Sequence, residues 1–152
     1  MASWFLLGLS AMNSFQQDLE RGIEVENMLL TVLKRKYPAS TLVNAYKGYD
    51  IWIPEIHKSV EVKYDEKCNE TGNIVVEIEF NEKPSALMTT TADFWVFYDG
   101  KDFVSIEPRE IIKCIFMNRL RYVTFTGDGD SKPKKAFLIK KDILFAYGKI
   151  VK

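Results

Sequence analysis

At 152 residues, 47% hydrophobic and 28% charged, the chain has the size and composition of one folded domain, about 100–200 residues being usual, so disordered, collagen-like and multidomain readings are excluded. Its 21 basic and 21 acidic residues cancel, and no overall field marks a polyanion or membrane partner. The cancellation hides a split: residues 1–108 hold 10 Lys or Arg against 17 Asp or Glu, net −7, whereas residues 109–152 hold 11 against 4, net +7.

The apolar run from Trp4 to Met12 is far short of the about 20 residues a spanning helix needs. Residues 1–11 contain no Lys or Arg, so the positive region of a signal peptide is missing and no membrane partner is expected. Met12 offers an internal start, which would make residues 1–11 a dispensable extension. From Phe15 to Tyr37, Leu19, Ile23, Met28, Leu29, Val32 and Leu33 recur at helical spacing, with acids early and Lys34, Arg35 and Lys36 late, as the helix dipole prefers. Pro38 blocks continuation, and Thr41 to Tyr46 reads as a strand.

The alternating runs 50–53 and 59–63 flank residues 54–58 and predict an antiparallel hairpin. A two-residue loop on Glu55 and Ile56 would pair 54 with 57, 52 with 59 and 50 with 61. Asp50 would then face Glu61, where like charges about 4.5–5.5 Å apart at Cβ repel and call for something positive between them. Asn73 to Phe80 alternates as a further strand, and the unbroken apolar run Phe94 to Tyr98 predicts a central strand covered on both faces. Asp99-Gly100 marks a turn, Phe103 to Ile106 a short strand, and Pro108 opens a helix to about Met117. Leu120 to Thr126 and Ala136 to Ile139 read as strands around a loop at residues 127–130, and Lys140 to Tyr147 as a closing helix.

Cys68 and Cys114 stand far apart without a C-x-x-C spacing, so neither a zinc ribbon nor a disulfide framework is supported. Both read as small buried hydrophobes, and a cytoplasmic setting is expected, the host cytoplasm if the chain is virus-encoded. The single His57 leaves little material for histidine-based catalysis or His-ligated zinc, and it reads as an exposed turn residue.

Chemistry concentrates in Glu61-Val62-Lys63. With a side-chain period of two, Glu61 and Lys63 share one face while Val60 and Val62 enter the core. Asp50 joins that surface. Two carboxylates with oxygen ligands suit Mg2+ or Mn2+, and such an ion would lower the pKa of a water and neutralise charge on phosphorus while Lys63 orients or deprotonates the attacking water. A carboxylate from the first helix would complete the pocket, with Glu24 and Glu26 as candidates. Residues two apart on a helix face different ways, so only one of them serves.

These residues carry a resemblance. Gly22 and Glu26 in a Gly-x-x-x-Glu, then Tyr49-Asp50, ten intervening residues and Glu61-Val62-Lys63 resemble the PD-(D/E)XK nuclease superfamily, which includes restriction-type endonucleases, Holliday junction resolvases and phage exonucleases. The segment from Lys83-Pro84-Ser85 through Thr90 to Val96 is similar to one found in small phage-type members. Tyr49 stands where the motif's proline is usual, a position that shapes the strand and binds no metal. The resemblance spans residues 18–98. It implies an α/β restriction-endonuclease-like core with a central mixed sheet flanked by helices, in one domain over residues 1–152. It further implies a Mg2+- or Mn2+-dependent deoxyribonuclease, with metal ligands Asp50, Glu61 and the carbonyl of Val62, and with Glu26 near or through water.

Structure-selective cutting, as by a Holliday junction resolvase, fits the small size and would call for a homodimer. The alternative is a catalytically inactive nuclease-fold module for DNA binding or assembly. Ser85 and Thr90 are candidate phosphate contacts, and Lys132, Lys134 and Lys135 of the basic half are candidates for holding DNA beside an acidic metal site. Trp52 is expected to pack against the first helix. Glu77 and Glu79 read as solvent-facing, with Glu79 in reserve as a metal residue.

Overall fold

The computed structural model describes residues 2–43, 48–127 and 131–152, with side chains from residue 16 onward. The chain opens with α1 (Ala2–Lys34), followed by β1 (Thr41–Leu42), β2 (Ile51–Ile53), β3 (Lys58–Tyr64), α2 (Cys68–Thr71), β4 (Asn73–Phe80) and β5 (Lys83–Pro84). It continues with β6 (Phe94–Tyr98), β7 (Phe103–Ile106), α3 (Pro108–Met117), β8 (Val123–Phe125), β9 (Lys134–Lys140), α4 (Lys141–Phe145) and β10 (Lys149–Ile150). The strands form a six-stranded sheet in the order β1-β2-β3-β6-β7-β10 and a four-stranded sheet in the order β5-β4-β9-β8.

The larger sheet is mixed. Among the described strands only β3 and β6 run parallel, with Glu61 opposite Trp95 and Lys63 opposite Phe97. A parallel pair needs a long crossover, and the chain fills it with α2, β4 and β5. β6 is covered on both faces, as its unbroken apolar run predicts. Its Val96 and Tyr98 join Val25, Leu29 and Leu33 of α1 with Ile51, Ile53 and Val60 in one core. Trp95 and Phe97 join Ile74 and Val76 of β4, Ile139 of β9, and Ile111, Cys114 and Leu144 of the short helices in the other. The mixed sheet is thus flanked by helices, as expected, with α1 on the first face and α3 and α4 on the second, where the smaller antiparallel sheet also packs.

α1 runs longer than its periodicity predicts at the front and stops three residues sooner at the back. The N–H groups of Lys36 and Tyr37 both return to the Leu33 carbonyl, at 3.1 and 2.8 Å, as a helix end tightens before a proline. The hairpin register is as counted, with Ile51 opposite Val60, Trp52 opposite Ser59 and Ile53 opposite Lys58. The loop is not the expected two residues. Pro54–Ile56 form a 3-10 turn and His57, exposed, takes a left-handed φ of 51° to return the chain. The strand expected over residues 41–46 is seen at Thr41–Leu42, and residues 44–47 and 128–130 lie outside the described residues. β8 and α4 are shorter than expected, β9 is longer, and α2, β5 and β10 are additional. Both cysteines are buried and free.

Candidate active site

The site forms where β2 separates from β3. Asp50 sits just before β2, and its N–H donates to the Val60 carbonyl at 2.8 Å. Its side chain therefore does not face Glu61 across the ladder as the simple count implies. It turns toward the strand edge, where Oδ2 accepts the Val62 N–H at 2.7 Å. In a strand, residues two apart present their main-chain groups to the same neighbour. Val60 and Val62 thus both address β2, which places the Val62 carbonyl on the same edge as the Asp50 carboxylate.

Glu61 and Lys63 share the opposite sheet face from α1, beside Trp95 and Phe97. Lys63 Nζ lies 3.0 Å from Glu61 Oε1 and 4.6 Å from the centre of the Trp95 ring. The positive group required near the paired acids is therefore Lys63. Burial pushes the Asp50 carboxyl above its ordinary range, the Val62 N–H opposes this, the Glu61 charge adds to it and Lys63 subtracts from it. Glu26 is also raised, first by burial and then by the charge of Asp50. Asp50 is thus the centre of the group: Glu61 and Lys63 act on it and it acts on Glu26.

α1 delivers Glu26 through a close approach at Gly22. A Cβ there would meet Tyr64 Cε1 at 3.4 Å, the limit of ordinary contact, and the Tyr64 hydroxyl donates to the Asp18 carbonyl at 2.8 Å. The end of β3 is thereby fixed against α1, one helical turn before Glu26. A shallow cavity of about 260 Å3 opens there, lined by Asp18, Leu19, Gly22, Ile23, Glu26 and Tyr64. Glu24 is 61% exposed and paired with Arg21 at 2.9 Å, so Glu26 is the helix acid that reaches the group. A larger cavity, about 620 Å3, lies between α3 and the C-terminal strand and contains none of these acids.

The expected phosphate contacts are otherwise engaged. Ser85 Oγ donates to Glu77 Oε2 at 2.7 Å. Thr90 Oγ1 donates to Glu61 Oε2 at 3.3 Å and accepts the Trp95 Nε1–H at 3.0 Å, which makes it part of the acid group. Lys134 pairs with Glu77 at 3.5 Å and Lys135 with Glu79 at 3.1 Å, across the β4–β9 ladder, while Lys132 is exposed. Glu79 is thus committed to Lys135 and does not join the site. Trp52 does not pack on α1: it projects to the Glu61 face beside Tyr49 and His57, with ring centres 6.3 and 6.1 Å away. The sequence reading missed Trp95 as a site residue, because its place under Lys63 follows from a parallel register that no local pattern encodes.

The donor set is all oxygen, two carboxylates and a main-chain carbonyl, which suits a hard divalent cation that keeps several waters. The raised Asp50 carboxyl, half-buried and repelled by Glu61, is a charge imbalance such a cation would relieve. Among the described residues, no three His, Cys, Asp or Glu side chains form a cluster able to hold an ion. A scan against family models, a search of curated proteins and a search of solved structures each find no match to the chain. No helix among the described residues is long and apolar enough to cross a membrane.

Proposed function

We propose that the chain is a small PD-(D/E)XK-type nuclease, a Mg2+- or Mn2+-dependent enzyme that hydrolyses DNA phosphodiester bonds. The observation that carries this reading is the Asp50 carboxylate. It is held by the Val62 N–H at 2.7 Å at the opening between β2 and β3, with Glu26 on one side and the Glu61–Lys63 pair on the other. Asp50, Glu61 and the Val62 carbonyl would hold the ion, and Glu26 would hold a water at its edge. The chemistry a divalent ion supplies there is acidification of a water and charge neutralisation at the phosphate. Lys63 orients the attacking water, and Glu61 keeps the ammonium in place. Branched DNA is the favoured substrate class and a homodimer the favoured assembly, because two symmetric strands need two sites.

A second reading, a DNA-binding or assembly module without turnover, is favoured by the commitment of Lys63 to both Glu61 and the Trp95 ring. Cleavage of plasmid, linear, flapped and four-way DNA with Mg2+ or Mn2+, compared with Lys63→Ala and Asp50→Ala, separates the two. Metal-dependent cutting lost in both variants supports the enzyme. DNA binding indifferent to chelation and to both substitutions supports the module and refutes the enzyme.

A further inference from the structure

We infer that Thr90 is a positioning residue which, together with Trp95, sets Glu61 and Lys63 in place before any ligand arrives. The inference rests on the reading above only in treating Glu61 and Lys63 as the working pair. A hydroxyl has one proton and two lone pairs. The Trp95 Nε1–H and the Ala92 N–H, at 3.0 and 3.2 Å, take the two lone pairs of Thr90 Oγ1. Its proton is left one acceptor, Glu61 Oε2 at 3.3 Å, so the rotor of this hydroxyl is set by its surroundings.

The other Glu61 oxygen takes Lys63 Nζ at 3.0 Å, and that ammonium lies 4.6 Å from the centre of the Trp95 ring. The four side chains close a circuit: carboxylate, hydroxyl, indole N–H, indole face, ammonium and back to carboxylate. Trp95 is 1% exposed and belongs to the core between the sheets, so the circuit is anchored on a residue that cannot readily move. The 3-10 turn at Ala86–Met88 delivers Thr90, and its hydroxyl is the link that joins the core to the acid. Groups held in one geometry beforehand lose less freedom on binding and react from fewer arrangements.

The test follows the Trp95 indole N–H signal by NMR, assigned with Trp95→Phe. In the metal-free protein, Glu61→Gln shifts this signal, Thr90→Ser preserves the response and Thr90→Val abolishes it. With Mg2+, calorimetry gives roughly tenfold weaker binding in Thr90→Val and near-native binding in Thr90→Ser, the scale expected for losing one bond to a charged group. In cleavage, kcat falls in Thr90→Val by a similar factor with KM little changed. An indole signal indifferent to Glu61→Gln in the otherwise native protein overturns the positioning role, whatever the protein cleaves. So does a Thr90→Ser variant as impaired as Thr90→Val, which would mark a packing defect. Absence of Mg2+ binding and cleavage in the native protein, with the indole response to Glu61→Gln intact, refutes the nuclease reading and supports the positioning role.

Discussion

Replacing Asp50 with Asn tests whether this acid is held in the fold against its own preference. The charge-assisted bond from the Val62 N–H favours the ionised form by about 1.5–3 kcal/mol, against about 0.5–1.5 kcal/mol for a neutral acceptor. The carboxyl is raised nonetheless, so burial together with the Glu61 charge outweighs both that bond and Lys63. An amide of the same shape forgoes about 1 kcal/mol of hydrogen bonding and escapes a larger penalty. Asp50→Asn is therefore at least as stable as the native chain at pH 7 without metal.

The sign with pH follows from linkage. Asp50 and Glu26 both sit above their ordinary values of 3.8 and 4.5, so the folded state holds their protons more tightly than the unfolded chain. Their favourable contribution is complete below those values and is lost as pH rises through the raised folded values. The advantage of Asp50→Asn over the native chain thus grows with pH across that window. If the chain binds Mg2+ as proposed, saturating Mg2+ is expected to reverse the order. A ligand at 100 times its Kd adds about 2.7 kcal/mol to the state that binds it, and the variant would lack one of the proposed ligand carboxylates. Urea denaturation of both proteins across pH, with and without Mg2+, measures this. A variant destabilised by more than about 1 kcal/mol at pH 7 without metal, or one that gains as much from Mg2+ as the native chain, refutes the reasoning.

Three further outcomes are expected. Ile51→Ala removes a side chain with 0% exposure from the core beneath α1 and costs about 2–5 kcal/mol by thermal or urea unfolding; a loss under about 1 kcal/mol would show that this face is not tightly packed. Burial works to raise the Asp99 carboxyl, but the Lys141 ammonium and the N–H groups of Asp102 and Lys101 outweigh it and hold it below its ordinary value. Its contribution is present above that value and lost as pH falls through the lower folded one. Lys141→Met, which breaks the 2.7 Å pair with this 6% exposed side chain, therefore destabilises the protein at pH 7 more than at pH 3, and equal losses at both would count against the pairing. Finally, DNA affinity measured against salt concentration should lose about one unit of log–log slope in Lys132→Ala if that exposed cation meets a phosphate. Lys135→Ala should lose less, because its ammonium already faces Glu79 at 3.1 Å; the reverse ranking would show that this ion pair opens on binding.

Much of the candidate site was legible because it depends on short-range periodicity. The alternation in 58–64 placed Glu61 and Lys63 on one face and Val60 in the core. The helical spacing of Leu29 and Leu33 marked the buried side of α1, although Leu19 and Ile23 of the same series are exposed, and the choice of Glu26 over Glu24 came from the Gly-x-x-x-Glu of the resemblance. Turn composition and alternation were enough to count the 51–60 and 52–59 pairs. The apolar run 94–98 announced a strand covered on both faces. Each of these follows from residues within about one or two turns or strand repeats of each other, where side-chain direction is dictated by backbone geometry.

What the amino-acid order left open is what depends on partners distant in sequence. That Asp50 would cap Val62 instead of facing Glu61 was decided by its N–H going to the Val60 carbonyl. That Trp52 would leave α1 and Trp95 would lie under Lys63 was decided by how β2 and β6 settle on the two sides of β3. The division of the strands into two sheets, which took Glu77, Glu79, Lys134 and Lys135 into their own cross-strand pairs, was set by which strands found each other in space. Local pattern specifies which way a side chain points along its own strand or helix. Only the assembled tertiary structure specifies what it meets there, because hydrogen bonds and charge interactions reach only a few ångströms while the groups they join can lie 12, 29 or 34 residues apart, as Asp50 and Val62, Glu61 and Thr90, and Ser59 and Asp93 do.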